Sequence, residues 1–191
     1  IGAGQGATTI SIRANTWFID SNRRWDRLTL SGIRFDGGGG HVRNQYTGGN
    51  VADQFIVGDC AFINYTGTSI GNRSSDHPYW KIERNIFRSG NYTSSTGISL
   101  TGLTDGTSIR DNAFHANRVH IALAEGGNNT YIENNDFLRF GASQGPPRVD
   151  VWFKPAAIEQ NSGQGMRITS CKFGNENLAP TDFRIVYAAA T

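Results

Sequence analysis

Short runs of alternating apolar and polar residues recur along the chain, and each run is followed by a polar bend and an aromatic residue. An alternation of period two is typical of a half-buried β-strand. We therefore predict, in every repeat, a short strand, a bend at an Asn or Cys position and an aromatic that points inward. Seven segments share this pattern: ISIRANTW at 10–17, LTLSGIRF at 28–35, FIVGDCAF at 55–62, WKIERNIF at 80–87, TSIRDNAF at 107–114, TYIENNDF at 130–137 and MRITSCKF at 166–173.

The repeat has a typical step of about 25 residues, and several repeats contain a second alternating strand, as in VHIALA at 119–124. Repeats of this length form solenoids, because each unit buries its apolar face only against its neighbours. Two architectures fit the strand pattern, the leucine-rich repeat and the parallel β-helix. The glycine-rich link at 36–50 and the total of only 7 Leu favour the β-helix.

The composition agrees with an all-β fold. Gly, Asn, Thr and Ser number 24, 17, 16 and 14, whereas strong helix formers are scarce, with only 3 Lys and 7 Leu. A helical bundle is therefore excluded. We predict one domain over 1–191, an all-β, right-handed parallel β-helix of about seven coils. Because the chain begins with Ile and has its only Met at Met166, we expect it to be a fragment of a longer chain.

Several classes of partner and cofactor are not expected. The chain has no apolar run of transmembrane length, which argues against membrane insertion. Its net charge is only +2 and its Arg residues are scattered, so no nucleic-acid partner is expected. The four His have no metal-ligand spacing, and the GAGQGA turn at 2–7 lacks the dinucleotide-binding spacing. We expect no cofactor and no metal.

Stacked repeats place equivalent residues in columns about 4.8 Å apart. The closing aromatics form one predicted internal column, from Trp17 through Phe35 to Phe173. The bend position carries consecutive Asn85, Asn112 and Asn135, which predict a ladder of side-chain amides. The bends also hold both cysteines, four repeats apart, which is too far for a disulfide. We predict two free thiols.

Two outward columns carry charges of alternating sign. One contains Glu83, Arg110 and Glu133, and the other contains Asp59, Arg84 and Asp111. Like charges two coils apart would be ~9.6 Å from each other, near the upper limit for the carboxylates of an inverting glycosidase. The Arg between each pair favours an ion-pair ladder instead.

The links on the other side of the repeat vary in length and carry the predicted site. Glycoside hydrolysis uses two carboxylates ~5–9.5 Å apart, which adjacent or next-but-one coils supply. An exposed aromatic ring packs on the C–H face of a sugar while charged groups bond its hydroxyls. The alternative is a set of solvated loops. The candidate catalytic residues are Asp105, Glu125, Asp150 and Glu159, and the candidate substrate-binding residues are Trp152, Lys154 and His77.

The coil template resembles the right-handed parallel β-helix of the pectate-lyase-like superfamily, and the stretch at 166–188 is most similar to bacteriophage tailspikes and capsular depolymerases. The resemblance implies a homotrimeric virion protein of the phage tail that acts outside the host cell. Its implied partner is bacterial surface polysaccharide, which such proteins bind and often cleave. The families share no portable active-site motif, so the resemblance assigns no catalytic residue. No Asp cluster suits the calcium of pectate lyases.

Three functions stay open on the sequence. The first is a tailspike that binds and degrades bacterial polysaccharide, as a hydrolase or a lyase. The second is a non-catalytic receptor-binding or structural β-helix of a virion. The third is a free bacterial polysaccharide lyase or epimerase.

Overall fold

A computed structural model describes residues 8–23, 25–46, 54–72, 79–91, 93–101, 106–124, 129–140, 149–154, 165–176 and 185–187. In these ranges the chain forms β-strands and no α-helix, which agrees with the predicted all-β class. The described part of the chain thus contains no helix of the length and apolarity that a membrane span requires.

The strands of the described ranges form three parallel sheets. Sheet A has the order β1 (Thr8–Ile12), β4 (Ile33–Gly37), β7 (Ala61–Ile63), β10 (Ile86–Arg88), β13 (Ala113–His115), β16 (Asp136–Phe140), β19 (Lys172–Glu176). Sheet B has the order β2 (Ile19–Ser21), β5 (Val42–Asn44), β8 (Thr68–Asn72), β11 (Thr96–Thr101), β14 (Val119–Ala124), β17 (Val149–Lys154), β20 (Ile185–Tyr187). Sheet C has the order β3 (Leu28–Ser31), β6 (Phe55–Gly58), β9 (Lys81–Glu83), β12 (Ser108–Arg110), β15 (Tyr131–Glu133), β18 (Arg167–Thr169).

The chain passes from sheet C to sheet A to sheet B and then returns to sheet C one coil further on. Each strand therefore pairs with strands of the coils before and after it, and the paired strands are parallel. This arrangement confirms the predicted right-handed parallel β-helix.

The interior contains a stack of aromatic rings from sheet A. Phe35, Phe62, Phe87, Phe114 and Phe137 have no exposed surface. Successive ring centroids along the stack are 4.8–5.2 Å apart, which is the rung spacing. Burial of one such side chain contributes roughly 1.5–3 kcal/mol. The predicted aromatic column is thus confirmed from Phe35 onward.

The first repeat does not follow the predicted register. In sheet A, Ile10 pairs with Phe35, so Ile10 and not Trp17 occupies the aromatic position of that coil. The physical reason is that β1 belongs to sheet A, whereas the template assigned residues 10–12 to sheet C. Trp17 lies after β1, with the guanidinium of Arg43 4.6 Å from its ring centroid. Phe18 is 41% exposed.

Both cysteines are free, as predicted. Cys60 is buried and Cys171 is partly buried, and burial raises the pKa of both thiols. Each Sγ lies close to a backbone carbonyl oxygen, that of Gly58 for Cys60 and that of Thr169 for Cys171. The two residues therefore occupy equivalent bends in their coils.

Candidate functional site

A tight bend with a left-handed residue connects sheet C to sheet A in coil after coil. The residues in this conformation share φ values of 53–57°, and they are Asp59, Arg84, Asp111, Asn134 and Ser170. Asp and Asn adopt this region with little strain because their short polar side chains bond locally, whereas Arg does so rarely. Since the bends are in register, the five side chains form one column on the outside of the solenoid.

The residue after each of these bends points inward, and in the three middle coils it is an Asn of the predicted amide ladder. Oδ1 of Asn112 accepts hydrogen bonds from the backbone N–H of Asn85 at 2.9 Å and from its Nδ2 at 3.0 Å. Oδ1 of Asn135 accepts the same two bonds from Asn112, each at 3.0 Å. Each amide also donates to a backbone carbonyl, as Asn112 does to Ile82 at 2.8 Å. The ladder is confirmed, and it fixes the backbone of the bends from the inside.

An open groove of about 520 Å³ lies over these bends and the outer face of sheet A. It extends from the bend before β7 to the first residue of β19, which at one rung per ~4.8 Å is about 19 Å along the solenoid axis. The residues that line it are Asp59, Arg84, Asn85, Ile86, Asp111, Asn112, Ala113, His115, Asn134, Asp136, Leu138 and Lys172.

The charged side chains of the groove are paired across neighbouring coils. Arg84 donates two hydrogen bonds to Asp59, from Nε to Oδ1 and from Nη2 to Oδ2, both at 2.9 Å. Nδ2 of Asn134 donates to Oδ1 of Asp111. At the far end, Nζ of Lys172 lies 3.6 Å from Oδ1 of Asp136. The groove therefore presents polar groups at one-coil intervals.

The bidentate pair fixes the protonation state at its end of the groove. The hydrogen bonds and the positive charge of Arg84 hold the pKa of Asp59 below its ordinary value, and those of Asp59 raise the pKa of Arg84. Both groups are thus charged at neutral pH. A carboxyl with a lowered pKa is a poor general acid, because it has no proton to donate near neutral pH.

The predicted ion-pair ladder on sheet C is also present, beside the groove. Nε of Arg110 lies 3.5 Å from Oε1 of Glu83, and its Nη2 lies 3.6 Å from Oε2 of Glu133. Arg84 connects this ladder to the groove, because its Nη1 is 3.4 Å from Oε2 of Glu83. The two glutamates are thus bridged by an Arg, as the ion-pair interpretation required.

Most of the residues predicted to form the site lie outside the described ranges: Asp105, Glu125, Glu159 and His77. Trp152 is half-buried on β17 in sheet B, in register with Ala122 of β14. Lys154 is the last residue of the same strand. Trp152 and Lys154 therefore lie on sheet B and not among the residues that line the groove.

Asp150, the remaining catalytic candidate, lies within β17 and is only 1% exposed. Its Oδ1 is 3.5 Å from Nε2 of His120, which has no exposed surface. Asn117 connects the same cluster to Tyr65, since the Tyr65 hydroxyl donates to Oδ1 of Asn117, and Nδ2 of Asn117 is 3.3 Å from Nδ1 of His120. Asp150 thus belongs to an interior polar cluster closed to a polymeric substrate.

A second pair in the interior, His41 and Ser69, combines the residue types of a nucleophile and a general base, but a substrate cannot reach it. Nδ1 of His41 is 2.9 Å from Oγ of Ser69, and neither residue has exposed surface. Burial lowers the pKa of His41 to about 3, so the imidazole is neutral. The pair contributes to the interior and not to catalysis.

Within the described ranges no group of three or more His, Cys, Asp or Glu side chains is placed to hold a metal ion. Comparison of the chain with protein-family models, with curated proteins and with solved structures found no match. The groove must therefore be interpreted from its own chemistry.

The sequence pattern contained part of this groove. The sequence shows Asp59, Arg84 and Asp111 as an outward charged column, for which the ion-pair interpretation is favoured over a pair of glycosidase carboxylates. His115 and Lys172 were not found. The sequence does contain a signal for them, because each is adjacent to a buried aromatic of the column, Phe114 or Phe173. Neighbouring side chains in a strand point to opposite faces, so His115 and Lys172 point outward.

Proposed function

We propose that the protein binds bacterial surface polysaccharide and that the groove over sheet A and its bends is the binding site. The observation that carries the proposal is the groove's shape combined with its periodic polar lining, about 520 Å³ spread over coils that repeat every ~4.8 Å. A polysaccharide is itself an extended polymer that repeats its hydroxyl groups along its length. A ligand of that kind meets a polar bend residue in each successive coil.

The groove floor combines the two surfaces that a sugar ring needs. Ile86, Ala113 and Leu138 are half-buried and offer apolar area to the C–H face of a ring. The carboxylate of Asp111 accepts hydrogen bonds from hydroxyls, and the amide of Asn134 beside it offers both a donor and an acceptor. This mixture of apolar floor and convergent polar groups is typical of small-molecule and sugar sites.

The backbone under the groove is already fixed, which lowers the cost of binding. The amide ladder of Asn85, Asn112 and Asn135 satisfies the buried backbone of the bends. The aromatic stack packs behind the same strands. A site that is ordered before binding loses little conformational entropy when the ligand arrives.

The groove supports binding better than acid catalysis, because Asp59 is ion-paired and its pKa is lowered. Cleavage is proposed to use carboxylates that do not line the groove, namely Asp105, Glu125 and Glu159, which follow strands of sheet B in the chain. Asp150 is the weakest of the original candidates because it is buried. Release of reducing ends or unsaturated products from the polysaccharide that binds distinguishes a depolymerase from a binding protein.

We also propose that the chain is a phage tailspike, with a homotrimeric state and a place in the virion. The support is the similarity of the stretch at 166–188 to those proteins, together with the parallel β-helix fold. A homotrimer is checked by its mass in solution.

A substitution that fills the groove tests the proposal. Ala113→Gln extends a half-buried side chain into the groove, whereas Ala124→Gln extends an equally half-buried side chain on sheet B. We expect Ala113→Gln to weaken binding to capsular polysaccharide by about tenfold or more, and Ala124→Gln to leave it unchanged. Affinity electrophoresis of both variants measures this. Equal affinity of the two variants would place the binding site elsewhere.

A further inference from the structure

The formal charge of the groove lining is slightly negative. Three carboxylates, Asp59, Asp111 and Asp136, contribute −3, and two cations, Arg84 and Lys172, contribute +2, so the sum is −1 with His115 counted as neutral. The neighbouring ladder on sheet C does not change the sign, because Glu83 and Glu133 outnumber Arg110 there. The side chains that line the groove therefore carry no positive excess to attract an acidic polymer.

Both cations of the groove are also engaged by carboxylates. Arg84 gives two hydrogen bonds to Asp59 and has a further contact with Glu83 at 3.4 Å. Lys172 lies 3.6 Å from Asp136. A uronate or other acidic sugar would have to displace these carboxylates and would then lie next to them, and like charges that close disfavour binding.

Taking these charges together, we infer that the groove selects neutral polysaccharide and discriminates against acidic polysaccharide such as polyuronates. The inference rests on the proposed function and adds the substrate class to it. The hydroxyls of a neutral sugar both donate and accept hydrogen bonds, so they bond the groove carboxylates and the amide of Asn134 without separating any ion pair. The carboxylate of an acidic sugar only accepts hydrogen bonds and is repelled by the groove carboxylates, so its hydroxyls bind against that cost.

The first test measures binding of the intact chain to soluble polysaccharides of known charge. Dextran and galactomannan serve as neutral probes, and polygalacturonate and hyaluronate serve as acidic ones. We expect binding to at least one neutral probe, with an affinity that changes less than about twofold between low and high salt, because neutral ligands are not screened. Stronger binding to the acidic probes would overturn the inference and leave the proposed function standing. Binding to none of the four, nor to capsular polysaccharide, would overturn both.

The second test reverses the charge preference. The double variant Asp59→Asn/Asp136→Asn removes the carboxylate partners of Arg84 and Lys172 within the groove and changes the groove charge from −1 to +1. Asn also tolerates the left-handed backbone at position 59. We expect this variant to gain about tenfold in affinity for polygalacturonate at low salt and to lose that gain at high salt.

The matched control is Asp20→Asn on sheet B. Arg43 gives Asp20 the same two-bond pair, at 3.0 and 2.6 Å, so the substitution frees an Arg at a site away from the groove. Unchanged affinity of the control for polygalacturonate, with a gain in the groove variant, supports the inference. An equal gain in both variants, or no gain in either, would show that groove charge does not set selectivity and would overturn it.

Discussion

At the scale of single residues, His41 shows what the interior requires of a titratable group. Its ring is packed among Phe35, Phe62 and Tyr65, with centroids 5.2–5.8 Å away. Its Nδ1 is bonded to Ser69, whereas its Nε2 has no hydrogen-bond partner. A protonated imidazole at this position would be a buried charge, and this is why its pKa is lowered to about 3 from an ordinary 6.5.

The first consequence is a dependence of stability on pH. Between pH 6.5 and about 3 the unfolded chain binds a proton at His41 that the folded chain does not bind. The stability that neutral His41 contributes is therefore fully present above pH 6.5, and it is lost as the pH falls from 6.5 to about 3. The expected slope is about 1.4 kcal/mol per pH unit for one proton. Urea unfolding at several pH values measures it.

His41→Asn is the comparison variant, because the amide retains a hydrogen-bonding group for Ser69 but does not titrate. Its free energy of unfolding should fall less steeply between pH 6 and 4 than that of the wild type. The two slopes should differ by the contribution of one proton, about 1.4 kcal/mol per pH unit. Identical slopes for the two proteins would mean that His41 is protonated in the folded state.

At the scale of elements, the bend between sheets C and A places one exposed residue next to one buried residue. Its left-handed residue is solvent-facing, as at Asn134, and the next residue is buried, as at Asn135. Neighbouring residues in one bend thus have different energetic roles. The buried one holds consecutive coils together, and the outer one forms the groove.

Substitutions at two Asn positions separate these roles. Asn112→Ala removes the acceptor of two hydrogen bonds from Asn85 and the donor to Ile82. The Nδ2 of Asn85 keeps its bond to Val57, whereas the buried backbone N–H of Asn85 and the carbonyl of Ile82 lose these bonds. At ~1–3 kcal/mol for each unsatisfied buried group, we expect a loss of roughly 3–5 kcal/mol in the free energy of unfolding. Asn134→Ala removes one exposed hydrogen bond to Asp111 and should cost about 1 kcal/mol. Equal losses by chemical denaturation would contradict the ladder's role.

Much of this element-scale structure could be predicted from the sequence, because a solenoid converts a linear repeat directly into spatial columns. The Asn column and the Phe column were both found in this way. The first coil was misplaced because Ile10 and Ile12 alternate just as a strand of sheet C does, although β1 pairs with β4 in sheet A. Periodicity identifies a strand, but it does not say to which of three sheets the strand belongs.

At the scale of the whole molecule, the groove depends on the spatial relation of two outward columns. The bend column and the outer face of sheet A belong to different elements, and the sequence gives no measure of the depression between them. The sequence instead predicts a site among the links of the irregular face, where Trp152, Lys154 and His77 accompany the carboxylates Asp105, Glu125, Asp150 and Glu159. Trp152 lies on sheet B and the adjacent Asp150 is buried.

The most direct test of the central claim is a map of backbone and side-chain amide chemical shifts upon addition of an oligosaccharide from the polysaccharide that binds. The account predicts that the shifted resonances cluster at His115, Asn134 and Asp136, while Ala122 and Trp152 on sheet B stay unchanged. Shifts centred on Trp152 with an unperturbed groove would contradict it.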